Sequence, residues 1–348
     1  MRLRATFLAI ISLIAMGVVA PSAQTPQEPA QAPPQQSFAD FLAGVRLEAR
    51  ERGISADTLD RALDGLEPEP VVIARDRAQP ELTQSLDQYV AQRLTPRTIA
   101  NAQAMSTEHR TLLEEIEHAY GIPAPLMVSI WGLESNFGKF IGTYPTIRAL
   151  ATLAYDGRRA LFRRELFDAL AIVDRGQAVA GDLKGSWAGA MGQPQFMPSS
   201  FLKHAVDFDK NGKIDIWTSS ADVFGSMANF LKSSGWTDGE RWGREVKITK
   251  AVMASIDRKI AMRTGGCRAN REMTVARPLT EWGKLGVRLP SGAALPTSAI
   301  KASLVRGQKR AFLVYGNYEA ILSYNCSNSY AVSVGLLADK IAATPTGK

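Results

Sequence analysis

The sequence predicts a mainly α (α+β) fold, and three observations point there. Apolar residues recur at helical spacing along most of the chain, as Phe38, Phe41, Leu42 and Val45 do, and again Leu59, Leu63 and Leu66. Between about Glu245 and Tyr315 the pattern changes to short β-like runs separated by Gly and Pro. From Glu319 to Ile341 helical periodicity returns through Val332, Leu336 and Leu337.

In chain order, Arg2 and Arg4 precede an apolar run from Phe7 to Ala20, with small residues up to Ala23. That is a secretory signal pattern over residues 1–23, and the run is short for a membrane span. No cysteine lies near the expected cleavage point, so an exported, periplasmic, soluble protein is expected rather than a lipoprotein. Residues 24–36 are rich in Pro, Gln and Ala and read as a flexible leader. Residues 37–118 read as a helical segment, with Ser55-Ala56-Asp57 starting a helix after a stop at Gly53. Residues 119–244 read as helices with glycine-rich interruptions. Residues 245–315 form the small β-containing region, with Val246-Lys247-Ile248, Met273-Thr274-Val275 and Phe312-Leu313-Val314 as strands or as irregular loop. Residues 316–341 close the chain in helix.

About 325 residues remain after the signal, ample for a large core. The formal charge is +7, and Arg2 and Arg4 leave with the signal. A mildly basic exported chain suits an anionic envelope polymer or membrane surface. It carries no Lys/Arg-rich run, which argues against nucleic acid. Cys267 and Cys326 are the two cysteines, either one disulfide or two thiols. His109, His118 and His204 are scattered and form no metal-spaced pair. Arg158-Arg159 and Arg163-Arg164 read as a basic helix face, either solvated or meeting peptide-stem carboxylates.

Three constellations carry chemistry. Glu134 is the lone acid of Trp131-Gly132-Leu133-Glu134-Ser135-Asn136-Phe137-Gly138. Pro123 and Pro125 suit the first turn of its helix and Gly138 the stop, so Met127, Ile130, Trp131 and Glu134 share a face. Burial disfavours a carboxylate, and the negative end of the helix adds about 0.3–1 kcal/mol in the same direction. Such an acid keeps its proton near neutral pH and can donate it; the alternative is a helix-end Glu in solvent. The run Gly185 to Ser199 combines small residues with Ser186, Gln195, Trp187, Phe196 and Met197. It reads either as a sugar-binding surface or as a tight packing loop, and Pro198 opens a short helix after it. Asp207, Asp209, Asn211, the backbone at Lys213, and Asp215 occupy alternate positions of a calcium-type loop, with Gly212 at the sixth. Thr218 stands where a closing Glu belongs. Asp222 either closes a longer loop or caps the helix of Val223 to Leu231.

Together these motifs resemble the family 3 lytic murein transglycosylases of the membrane-bound lytic transglycosylase B type. The first is similar to that family's Glu-Ser/Thr-x-aromatic-Gly signature. The second is similar to Ala-Gly-Ala-Met-Gly-x-x-Gln-Phe-Met-Pro-Ser. The likeness continues through Asp207-Phe208-Asp209-Lys210-Asn211-Gly212, Asp215-Ile216-Trp217, Ala228-Asn229-Phe230, Gly235-Trp236, Gly316-Asn317-Tyr318, Tyr324-Asn325 and Ser329-Tyr330-Ala331. It covers roughly residues 38 to 341.

The resemblance implies a lysozyme-like helical catalytic core over residues 119–244. An N-terminal helical segment would precede it and a β-containing accessory region follow it, with residues 316–341 returning to the cleft. It implies non-hydrolytic cleavage of the MurNAc–GlcNAc bond of peptidoglycan to a 1,6-anhydromuramoyl end. Glu134 would be acid and then base, and the substrate acetamido group would stabilise C1. Ser186, Gln195, Tyr324, Asn325, Tyr330 and Tyr89 would contact glycan. Phe230 stands where many members carry Tyr. The implied partners are peptidoglycan strands and other cell-wall enzymes. A structural Ca2+ at Asp207, Asp209, Asn211, Lys213, Asp215 and Asp222 is the expected cofactor, against an ion-free Asx-rich turn, and no organic cofactor is expected. A hydrolytic muramidase and a non-catalytic peptidoglycan-binding protein are the alternatives. The next acid after Glu134 is Asp156, whereas ordinary glycosidases use two carboxylates.

Overall fold

The computed structural model describes residues 36–78, 84–157 and 160–343. The expected signal segment, most of the flexible leader, and Arg158 and Arg159 lie outside the described residues. Helices α1 (Phe38–Glu51), α2 (Ala56–Leu63), α3 (Pro70–Ala78), α4 (Leu86–Arg93), α5 (Pro96–Glu108) and α6 (Arg110–Tyr120) come first. Ser55 caps α2 by accepting from the Thr58 N–H, and Gly53 before it is left-handed (φ 87°), as the start signal predicts. Next come α7 (Ala124–Ser135), β1 (Tyr144–Pro145), α8 (Thr146–Asp156), α9 (Ala160–Asp174), β2 (Lys184–Gly185), α10 (Pro198–His204) and α11 (Ser220–Ser233).

The region after Trp242 contains β3 (Gly243–Val246), α12 (Lys250–Lys259), α13 (Arg268–Arg271), β4 (Arg277–Pro278), α14 (Leu279–Lys284), β5 (Lys301–Arg306) and β6 (Ala311–Val314). Its antiparallel sheet runs β3-β6-β5-β4. Two of the three expected strands lie in it, in part. Met273–Val275 does not form a strand, since Thr274 makes one isolated bridge to Met262. The strand that spacing missed is β5, where Ala302 to Val305 are all buried. A strand covered on both faces loses the polar/apolar alternation that betrays a half-buried one. The chain ends in α15 (Gly316–Tyr324) and α16 (Asn328–Ala342), broken at Asn325–Ser327. Cys267 and Cys326 are disulfide-bonded, Cα atoms 6.3 Å apart, and hold that break against the start of α13.

Three apolar cores organise these elements. One joins α4–α7, α11, α15 and α16 around Ile130, Phe224 and Val334. A second joins α1–α3 with α8–α10 and the Gly185–Phe196 loop around Leu150, Leu166 and Phe201. A third lies between the sheet and α12 and α14, around Trp282 and Leu313. Residues 38–120 therefore divide between two cores. Arg163 leaves the solvated face expected of it: it pairs with Glu48 and its guanidinium lies 5.5 Å from the Phe41 ring centroid. Tyr324 packs against both the first and second cores, which places the end of α15 at their junction.

Candidate active site

Glu134 stands in the last turn of α7, a helix buried almost all round. Leu126 to Trp131 are all buried, so the apolar surface exceeds the single face that spacing predicts. Pro123 is the N-cap and Pro125 lies in the first turn, as expected. The Ser129 hydroxyl donates to the Val334 carbonyl at 2.7 Å and locks α7 against α16. The left-handed stop is Asn136, two residues before the Gly138 expected from sequence. Asn136, Phe137 and Gly138 are consecutively left-handed, at φ 50°, 58° and 75°. The Ser135 hydroxyl accepts from the Gly138 N–H at 3.0 Å, and the Phe137 ring folds back over Gly132. A Cβ at Gly132 would lie 2.6 Å from that ring, so the glycine is required by packing.

Gln193 ties this helix to the glycine-rich loop. Its Oε1 accepts from Trp131 Nε1 at 2.7 Å, and its Nε2 donates to the Trp217 carbonyl at 2.8 Å. The loop itself is a miniature sheet. β1 pairs with β2, Gly185 bridges Met191, and Met191 bridges Phe196. Gly142 (φ 83°) lets the chain leaving α7 lie directly on this structure, since a Cβ there would fall 2.0 Å from the Gly185 carbonyl.

Ser186 and Gln195 stay half-exposed on that frame. The Ser186 Oγ accepts from the Ala190 N–H at 3.1 Å, which leaves its own proton available. Gln195 is held left-handed (φ 52°), and its Nε2 donates to the Gly192 carbonyl at 2.8 Å and the Ile141 carbonyl at 3.3 Å. Its Oε1 has no hydrogen-bond partner among the described residues.

Two C-terminal helices bring further residues to this region. Tyr324, ending α15, donates its hydroxyl to the Pro194 carbonyl at 2.7 Å and packs its ring 4.8 Å from that of Phe230 and 5.8 Å from that of Phe196. Phe230 in turn packs 4.6 Å from the His204 ring, so its missing hydroxyl leaves an all-aromatic stack. Asn325 caps the C-terminus of α15 and is exposed. Tyr330, in the first turn of α16, aims its buried hydroxyl at Glu134 without completing a hydrogen bond of ordinary geometry. Tyr89 on α4 adds a small electrostatic influence on Tyr330, and the Arg93 guanidinium lies 5.3 Å from the Tyr89 ring centroid. Spacing missed Gln193 and Arg93. Arg93 had a signal, since positions i and i+4 share a helix face with Tyr89.

Burial by the surrounding protein raises the Glu134 carboxyl to about 7, while the Tyr330 hydroxyl and the Arg93 charge pull it down. Its edge still reaches the cleft, for the residue is only half-buried by surface. Among the described residues no second carboxylate acts on it. Tyr330 and Tyr324 are held far above the usual phenol range, by burial first and by Glu134 second, so both remain donors at any working pH.

The acidic loop lies beyond Gln193. Carboxylate oxygens of Asp207, Asp209 and Asp222 converge within 4.8 Å of one another. Asp222 is fully buried; burial and the repulsion of Asp209 and Asp207 raise its carboxyl despite hydrogen bonds from the Asp215 and Phe208 N–H groups. Ser219 rather than Asp222 caps α11. Asp215 does not join the cluster: its carboxylate accepts from the Trp217 and Thr218 N–H groups, which hold it low against the effect of burial. Asn211 accepts from the Lys213 N–H. Carboxylate oxygens are hard donors of the kind a calcium ion takes, and three of the six to eight it needs converge here.

Residues 37–339 match the transglycosylase SLT domain family. The chain belongs to that family. Among transglycosylase relatives, membrane-bound lytic murein transglycosylase B of Escherichia coli (strain K12) is 31% identical over 253 residues, 72% of this chain. The match spans 65% of that protein, just under two thirds of its length. SltB3 from Pseudomonas aeruginosa, solved with NAG-anhNAM-pentapeptide, is 41% identical with TM-score 0.80, over 88% of this chain and 80% of that one. SltB1 from the same organism is 30% identical with TM-score 0.73, over 88% and 98%. The Escherichia coli lytic transglycosylase Slt35, solved with calcium, is 26% identical with TM-score 0.70, over 88% and 92%. The mainly helical, lysozyme-like architecture with small antiparallel sheets is common to this family's solved members.

Proposed function

We propose that this chain is a peptidoglycan lytic transglycosylase that cleaves the MurNAc–GlcNAc bond without water. One observation carries the reading: Glu134 holds its proton to about pH 7, and no second carboxylate acts on it among the described residues. A one-acid cleft cannot run the ordinary two-carboxylate hydrolysis. It can run a reaction in which the substrate supplies the nucleophile. Glu134 protonates the leaving oxygen, and the MurNAc acetamido oxygen stabilises C1. Glu134, now a carboxylate, takes the proton of the C6 hydroxyl as the 1,6-anhydro ring closes. The free Gln195 Oε1 and the Ser186 hydroxyl suit the N–H and C=O of that acetamido group, fixing its attacking pose. Tyr330 would steady Glu134 in both states. Tyr324, Asn325 and Tyr89 would line the glycan path. SltB3, crystallised with an anhydro-muramyl pentapeptide, supports this substrate class.

The remaining expectations follow the same reading. Asp207, Asp209 and Asp222 would hold a structural calcium ion, with Asn211 and the Lys213 carbonyl as further oxygens close in sequence, while Asp215 stays bonded to Trp217 and Thr218. The ion would supply charge balance that fixes the loop under Trp217, whose carbonyl holds Gln193. Residues 119–244 would act as the catalytic core, 245–315 as an accessory region and 316–341 as the returning wall. Export to the periplasm would follow from residues 1–23. No described helix is long and apolar enough to cross a membrane.

Digestion of purified sacculi with mass analysis of the products tests the reaction. Anhydro-muramyl ends with wild type and none with Glu134→Gln are expected. Reducing ends would mean a hydrolase instead. Binding without release would mean a peptidoglycan-binding protein.

A further inference from the structure

Among the described residues every Phe, Tyr and Trp is buried or half-buried except Phe140, which leaves 70% of its surface to solvent. A single exposed apolar side chain needs no explanation by itself, so its placement decides. The chain leaves α7 through Asn136 and Phe137, two non-glycine residues at positive φ, a conformation that persists only where the surroundings impose it. Beyond this turn the two phenylalanines part: the Phe137 ring packs edge-on against Trp131, and Phe140 is turned out. The Phe140 N–H donates to the carbonyl of Ser135, the neighbour of Glu134, at 2.9 Å. The carbonyl of the next residue, Ile141, accepts from Gln195 Nε2 at 3.3 Å. Gly142, one residue further, lies against Gly185 and the Ser186 nitrogen. The exposed ring is therefore carried on backbone fixed at one end to the residue beside the acid, and at the other to the two side chains assigned to the acetamido group.

We infer that the Phe140 ring is a stacking platform for a sugar of the glycan strand, next to the MurNAc that Ser186 and Gln195 would hold. The inference deepens the glycan-cleaving reading above and rests on it. In a β-1,4-linked strand of GlcNAc and MurNAc the ring substituents are equatorial, so each sugar presents a face of C–H groups. A neutral aromatic ring without donor or acceptor matches that face and leaves the hydroxyls around it in water. The amides and carboxylates of a stem peptide offer no comparable flat apolar surface. Tyr144 continues the surface past Gly142. It pairs with Gly185 in the β1–β2 register, is half-buried, and has the Arg75 guanidinium of α3 5.5 Å from its ring centroid. Covering about 60 Å2 of the Phe140 ring corresponds to about tenfold in affinity. The ring holds no group that moves a proton, so it acts on the affinity and register of the strand.

Binding to Glu134→Gln protein, which cannot turn over, is measured with two probes: glycan strands bearing their stems, and strands stripped of stems by an amidase. Adding Phe140→Ala is expected to weaken both by the same factor, about tenfold, with the Tm unchanged because the ring is exposed. Phe140→Trp keeps a flat aromatic face and is expected to bind as tightly as the parent. The added indole emission is expected to shift to shorter wavelength as stripped strands cover it. Unchanged affinity in Phe140→Ala overturns the platform, and loss confined to stem-bearing strands overturns it by placing the ring on the peptide. Equal loss in Phe140→Ala and Phe140→Trp with a lowered Tm also overturns it, since the residue would then shape its loop rather than meet a sugar. If the Glu134→Gln parent binds neither probe, the glycan reading itself fails before Phe140 is altered, and this inference fails with it.

Discussion

The proton on Glu134 is set by two opposed influences. Burial among α7, α15 and α16 raises its carboxyl to about 7, and Tyr330 and Arg93 each restrain the rise. Under the proposed reaction the resting enzyme needs the protonated form. The rate of sacculus cleavage should therefore be level below about pH 7 and fall tenfold per pH unit above it. Tyr330→Phe removes a group that favours the carboxylate, so the falling limb should move to higher pH even as the maximal rate drops. A pH–rate profile of the two proteins checks both points, and a limb that moves down in the variant would contradict the assignment. His204 lies behind this site with its Nδ1 unpartnered, and burial keeps its imidazole below the usual histidine range, so it stays neutral.

Among the elements, α7 and the Gly185–Phe196 loop must hold their relative position to within a fraction of an ångström. Gln193 is the link, bonded on one side to Trp131 and on the other to Trp217. Gln193→Ala leaves the indole N–H and the carbonyl without these partners, a loss of about 1–3 kcal/mol. It also frees the loop that carries Ser186 and Gln195. The expected result is a lower Tm and a fall in kcat larger than any rise in KM, because positioning of the acetamido group matters most in the transition state. Thermal melting and steady-state kinetics on soluble strands measure this. A fall in KM-controlled binding alone would point to a looser role for the loop.

For the whole molecule, one covalent long-range tie holds the break between α15 and α16. The Cys267–Cys326 disulfide closes a separation of 59 residues next to Tyr324. A paired Cys267→Ser, Cys326→Ser variant should lose about 2–4 kcal/mol of stability. It should also lose glycan affinity, measured on the Glu134→Gln background, since the α15–α16 break carries Tyr324 and precedes Tyr330. The acidic loop makes a separate prediction. Calcium should raise the Tm by several degrees over a chelator-treated sample, through binding to the folded state alone. Asp222→Asn should abolish the calcium-dependent part. An identical Tm with calcium and with chelator would leave the loop as an Asx-rich turn.

Local spacing was enough for α7, for the start of α2, for the short α10, and for a raised proton affinity at Glu134. Each depends on contacts within about one helical turn or on a cap. Spacing failed where burial erased the pattern, as in β5, and at the start of α11, where Ser219 supplies the cap that one reading gave to Asp222. The motifs Glu134 to Gly138 and Gly185 to Ser199 identified the family because they are contiguous runs. No local rule brings Tyr330 to Glu134, Tyr324 to Pro194, or Arg93 to the acid's side. Those meetings follow from how α4, α15 and α16 pack on α7, at the junction of two separate cores. The sequence by itself determined the helical class, the acid and the glycine-rich loop beside it. Only the tertiary structure decided which hydroxyls and which cation face that acid, because side chains distant along the chain meet through packing alone.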